Sequence, residues 1–123
     1  MIYGIGVDTV DIDRFSRQLE RTPSLRERLF CETERELPIA SLAARFAAKE
    51  ALMKALRGSH HLSWHDMEIV RDEQRAPSFA PGGVLTDLLA TLGAGHTHLS
   101  ITHDGGGATA FVIVEAAEGG GAS

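Results

Sequence analysis

Hydrophobic positions along this chain follow two rhythms, one of period two at the ends and one near 3.6 in the middle. In the opening run "IYGIGVD" (Ile2–Asp8), Ile5 and Val7 alternate with Gly4, Gly6 and Asp8. The alternation predicts a strand with one face almost bare until the carboxylate. Glycines inside a strand mark close approach by another backbone or a ligand. From about Asp11 to Arg21 the period lengthens, and Ile12, Phe15 and Leu19 form a helical stripe with Arg14, Arg17 and Arg21 opposite. "TPS" at Thr22–Ser24 is a stop and restart, with Pro23 suited to a first helical position and Leu25 and Leu29 giving a second, short helix. "TERE" at Thr33–Glu36 fits a capping box.

A long helix is predicted from Pro38 or Ser41 to Arg57, stopped by Gly58. A polar loop with three histidines (Ser59–His65) leads to a strand near Met67–Arg71, and a short extended piece lies between "RAPSF" and "PGG". Leu85, Leu88, Leu89 and Leu92 build another helix, ended by Gly93. Two strands, Thr97–His103 and Ala108–Glu115, then close a hairpin around Asp104–Gly107. The order β-α-α-β-α-β-β favours an α+β fold over a doubly wound one. Residues 1–116 read as a single domain, and the glycine-rich residues 117–123 as a disordered tail.

Composition narrows the function classes. A chain of 123 residues has room for one domain with its own core. A net charge of −5 argues against broad nucleic-acid binding, which needs a basic surface. The longest apolar runs fall far short of a membrane span, and the strand-like amino end with early acids does not read as a signal peptide. Cys31 is the single cysteine, so no internal disulfide forms and a cytoplasmic setting is expected.

The long helix holds the candidate chemistry. At 100° per residue, Leu42, Phe46, Leu52, Met53 and Leu56 share one arc, and Arg45 and Lys49 fall inside it. Ala44, Ala47, Ala48, Ala51 and Ala55 make a separate face that permits close packing, while Glu50, Lys54 and Arg57 share a third strip. One reading is a solvated, salt-bridged strip with Arg45 and Lys49 snorkelling past apolar neighbours. The sharper one has Arg45, Lys49 and Lys54 meeting an anionic ligand while Glu50 joins Asp8 in holding a hard cation. Mg2+ prefers such a sparse set of carboxylates completed by phosphate oxygens. Asp8 has a simpler role open to it, as cap of the following helix.

Three motifs in order, "GIGVDTVDIDR" (Gly4–Arg14), "RFAAKEALMKAL" (Arg45–Leu56) and "LSITHDGGGATAFVIVE" (Leu99–Glu115), resemble the holo-acyl carrier protein synthases, which are 4'-phosphopantetheinyl transferases. "FCETE" (Phe30–Glu34) and "WHDMEI" (Trp64–Ile69) are weaker matches at the expected intervals. The resemblance implies the phosphopantetheinyl transferase fold, an antiparallel sheet packed against a long helix, assembled as a homotrimer with active sites between subunits. It implies transfer of the 4'-phosphopantetheine arm of coenzyme A to a serine of apo-acyl carrier protein in fatty acid biosynthesis, releasing adenosine 3',5'-bisphosphate. Asp8 and Glu50 become Mg2+ ligands, and Lys54 joins them in catalysis as a phosphate contact. Arg45, Lys49 and His103 become further coenzyme A contacts, and Glu50 or a metal-bound water becomes the base. Arg14, Arg17 and Arg21 become the docking stripe for an acidic carrier protein. The chain departs from the family at Arg57–Trp64, where histidines stand in a usually glycine-rich turn, at Gln74–Pro77, and at Thr102.

Two other readings compete. His96 and His98 share a strand face and suggest a zinc hydrolase, but no third ligand stands at a recognisable spacing. A non-catalytic coenzyme A-binding trimer would keep the fold, yet such a protein could dispense with Asp8, Glu50 and Lys54, and all three are present.

Overall fold

The computed structural model describes residues 1–118 of the chain. Strand β1 (Ile2–Asp11) runs directly into helix α1 (Ile12–Arg21), followed by α2 (Ser24–Leu29) and the long α3 (Ile39–Ala55). A 3-10 helix (Trp64–Met67), strands β2 (Ile69–Arg71) and β3 (Pro77–Phe79) and helix α4 (Gly83–Thr91) precede the closing pair, β4 (Ala94–Asp104) and β5 (Gly107–Ala116). β5 lies at the centre of an antiparallel sheet ordered β1-β5-β4, and β2 and β3 form a separate ribbon. The architecture is α+β, an antiparallel sheet packed against a long helix, as the element order predicts.

Alternation sorts the sheet into two faces. Ala108, Ala110, Val112 and Val114 of β5 are buried, and α3 covers them with Ala47, Ala48, Ala51 and Ala55. Gly6 of β1 pairs with Val112, and Asp8 with Ala110, so the glycines and the acid all lie on this helix-facing side. The glycines are there because α3 comes very close. A Cβ on Gly4 would collide with the carbonyl of Ala55, and one on Gly6 with the carbonyl of Ala51. The outer face stays open, with Ile5, Val7 and Phe111 exposed. A second core cluster joins Phe15 and Leu19 of α1 to Phe30, Leu42, Ala43 and Ala44.

Several boundaries differ from expectation. β1 continues to Asp11, and it is Asp11 rather than Asp8 that caps α1, accepting the Arg14 amide at 2.8 Å. The hairpin turn contracts to Gly105 and Gly106, whose φ values of +57° and +80° suit a two-residue turn with two left-handed positions. No capping box forms at Thr33–Glu36, because Glu34 is drawn inward and the Thr33 hydroxyl donates to Glu68. The box belongs to Ser63 and Asp66 at the 3-10 helix. Of the expected tail, residues 119–123 lie outside those described, while the Ala117 amide still bonds the Gly93 carbonyl at 2.9 Å. Among the described residues no helix is long and apolar enough to cross a membrane.

Candidate functional site

The close seam between β1 and α3 brings three predicted residues together. Asp8 closes the bare face of β1, while Glu50 and Lys54 sit one turn apart on α3, beside the alanines that touch the glycines. The Lys54 amine donates to Asp8 Oδ1 at 3.0 Å and to the Val7 carbonyl at 3.0 Å. An ammonium has three N–H groups, so one remains free for a ligand. Its side chain is 54% exposed, which keeps that donor accessible. Glu50 has its carboxyl pKa raised, first by burial and then by the negative charge of Asp8, with Lys54 partly offsetting both. The two acids therefore share one electrostatic neighbourhood.

A cleft of about 250 Å³ opens here, lined by Asp8, Asp11, Arg14, Gln18, Phe46 and Glu50 among others. Arg14 thus borders the acid pair, whereas Arg17 and Arg21 are exposed on α1 outside this lining. The donor set is two carboxylates. Hard oxygens in that number suit Mg2+ completed by water and phosphate oxygens better than zinc. The Lys54 ammonium against Asp8 Oδ1 shows that this carboxylate is placed to meet a cation. Among the described residues no group of three or more His, Cys, Asp or Glu side chains could hold a metal, and His98 instead bonds Glu115 at 2.7 Å.

Two expected contacts have other partners. Lys49 is fully buried, and its amine donates to the Leu29 carbonyl at 2.8 Å, Glu34 Oε1 at 2.8 Å and the Trp64 carbonyl at 3.1 Å. All three N–H groups are satisfied, so Lys49 is neither a phosphate ligand nor a snorkelling surface residue in this conformation. Arg45 is also buried, 3.7 Å from Glu34 Oε2. Among the described residues its Nε is the one buried side-chain nitrogen or oxygen without a hydrogen-bond partner. Burial lowers its pKa, as does Arg71, and Glu34 opposes them. The residue missed in the sequence is Glu34 itself. Besides the Lys49 amine it receives the Cys31 amide at 2.9 Å and the Ile69 amide at 3.1 Å, with the Arg45 guanidinium nearby. A buried carboxylate with these donors is well compensated, but a lone glutamate among charged neighbours gives no such signal in sequence.

His103 is not brought to the acid pair. It lies on β4, level with Val10 rather than Asp8, and its Nε2 is 3.2 Å from the Ala40 carbonyl at the start of α3. Two strand spacings and two residues of rise separate its backbone from that of Asp8 by roughly 12 Å.

Comparison with known proteins shows the family to which this fold belongs. The model of the 4'-phosphopantetheinyl transferase superfamily matches residues 4–112. A holo-[acyl-carrier-protein] synthase of Leifsonia xyli is 59% identical over 115 residues, covering 94% of this chain and 98% of that protein. The crystal structure of a holo-[acyl-carrier-protein] synthase from Neisseria meningitidis superposes with a TM-score of 0.86 at 31% identity, covering 94% of this chain and 99% of that one. The Helicobacter pylori enzyme, solved in complex with coenzyme A, gives 0.80 at 31% identity, covering 90% and 99%.

Proposed function

Because the chain belongs to the holo-[acyl-carrier-protein] synthases of the 4'-phosphopantetheinyl transferase superfamily, we propose that it moves the 4'-phosphopantetheine group of coenzyme A onto a serine of apo-acyl carrier protein. Adenosine 3',5'-bisphosphate leaves, and the acceptors are the carriers of fatty acid biosynthesis. The observation that supports this most directly is that Asp8 and Glu50 line one cleft while Lys54 bonds Asp8 beside it.

Each residue has a role its surroundings favour. Asp8 and Glu50 would hold Mg2+, which when bound offsets the charge that builds on the pyrophosphate during transfer. Glu50, whose proton affinity is raised by burial and by Asp8, is the better base of the two for the serine hydroxyl. The free N–H of Lys54 donates to the departing phosphate. Arg14, at the rim of the same cleft, meets the acidic carrier, with Arg17 and Arg21 extending the stripe along α1.

The assembly is a homotrimer with sites shared between subunits. The exposed Ile5, Val7 and Phe111 form an apolar sheet face that a second copy would cover. A shared site also gives His103 a task. It is exposed and lies away from the acid pair of its own chain, and a neighbouring subunit can bring it to the coenzyme A phosphates. A cytoplasmic setting suits the lone cysteine and the substrates.

The test is to incubate the protein with coenzyme A, Mg2+ and an apo-carrier protein and weigh the carrier. The expected result is a mass gain of one phosphopantetheine, abolished by chelation and restored by added Mg2+. Coenzyme A binding with no mass gain would favour the non-catalytic trimer instead.

A further inference from the structure

Asp8 and Glu50 come from separate elements, and something must fix how far α3 slides along β1. The seam between them cannot do so alone. It is made of Gly4 and Gly6 against the backbone at Ala51 and Ala55, and such a surface has no knobs to lock into holes. A small slide of the helix, opposed here by its packing on β5, would carry Glu50 away from Asp8. Two side chains bridge the seam, Lys54 to the Val7 carbonyl and Arg57 to the Tyr3 carbonyl. Both are long and exposed, so they can follow a displacement.

A rigid connection lies on another side of the helix and reaches β1 through α1, whose Phe15 packs on Phe30 beside the Leu29 carbonyl. Lys49 precedes Glu50 by one residue and points about 100° away around the axis. Its buried amine is bound at three points: the carbonyl ending α2, the Glu34 carboxylate and the carbonyl opening the 3-10 helix. Glu34 is fastened in turn to the Cys31 and Ile69 amides. Moving α3 along its axis by a residue's rise would strain several charge-assisted bonds inside the protein, where water cannot replace them.

We propose that Glu34 and Lys49 are positioning residues for the transfer site: their buried pair sets the register of α3 on β1 and so the alignment of Glu50 with Asp8. This rests on the transferase reading, because it assumes the two acids act as one cation site. Neither Glu34 nor Lys49 touches the substrate in this role. A small misalignment of such a site is costly, since loss of supporting interactions lowers metal affinity or activity by about 10- to 100-fold.

The test compares the wild type with Glu34→Gln, Lys49→Met and the double variant carrying both. Removing one partner leaves a buried unpaired group, and those single variants are expected to melt early. The double variant removes the two opposite charges together and keeps an amide oxygen beside the buried Arg45, so it is expected to be folded at the assay temperature, as checked by circular dichroism. Mn2+ binding in the presence of coenzyme A, read by the loss of the free-ion electron spin resonance signal, should be at least about tenfold weaker per folded molecule in the double variant. Its kcat should fall while KM for the carrier stays unchanged, because Arg14 lies on α1. A double variant that is unfolded, or that is folded with wild-type Mn2+ affinity and kcat, would overturn the proposal. A wild type that binds Mn2+ and coenzyme A but never modifies a carrier would instead sink the transferase reading, and the Mn2+ comparison would still report on the clamp.

Discussion

Lys49 and Lys54 stand five residues apart on one helix and live in opposite environments. The first is sealed in the interior with every N–H bonded, while the second is half-exposed with one N–H uncommitted. Two glutamates near them differ in the same way. Glu34 accepts from three donors and has Arg45 nearby, whereas Glu50 is partly buried with no hydrogen bond to its carboxylate among the described residues, and its pKa is raised. A satisfied charge pair holds a structure in place. An incompletely satisfied one is left with chemistry to perform. Helix α3 therefore has a fastening side and a working side, and charge alone does not tell which is which.

The sharpest way to break this contrast is to alter the working side. Glu50→Gln should reduce transfer at least about a hundredfold, measured as carrier modified per minute, without lowering the melting temperature at neutral pH. The sign follows from linkage. A carboxyl whose pKa is raised on folding stabilises the fold fully only below its unfolded pKa, and that benefit is lost as pH rises through the raised value. At pH 7 to 8 the ionised Glu50 is therefore a burden, and the amide should melt slightly higher than the wild type, with the advantage shrinking toward pH 4. A lower melting temperature at pH 7 would make Glu50 a structural residue.

A smaller effect is expected from disturbing the seam. Gly6→Ala forces a Cβ against the Ala51 carbonyl and should destabilise the protein by about 1–3 kcal/mol in denaturant titrations, with activity falling as the seam opens. Wild-type stability would mean that β1 and α3 can separate freely. The mildest change is Arg14→Ala at the rim, which should raise KM for the carrier about fivefold, worth roughly 1 kcal/mol, and leave KM for coenzyme A unchanged. Equal loss for both substrates would remove Arg14 from the docking surface.

Much of the fold was legible because its signals are local. Alternation in Ile2–Asp8, the alanine face of α3 and the paired closing strands each follow from side-chain periodicity. The glycines of β1 also announced a close backbone approach, which α3 makes. Lys49 shows where such reading stops. Its place within the apolar arc was visible, but two of its three acceptors are backbone carbonyls at Leu29 and Trp64, and a carbonyl has no letter of its own in a sequence. The third, Glu34, lies in a run of acids that fits a capping box equally well. The separation of His103 from Asp8 was hidden for a different reason, since strand order is not written in the order of strands along the chain.

Strand β1 divides its duties by odd and even number. Even positions 4, 6 and 8 look toward the helix, and odd positions 5 and 7 look away from it. Deleting or inserting a single amino acid ahead of Asp8 would invert both assignments at once. Isoleucine and valine would be driven into a gap that tolerates only hydrogen, and the acid would be stranded on the opposite surface. This segment can therefore accept exchanges of one apolar residue for another on its outward side, but its length is not free to vary.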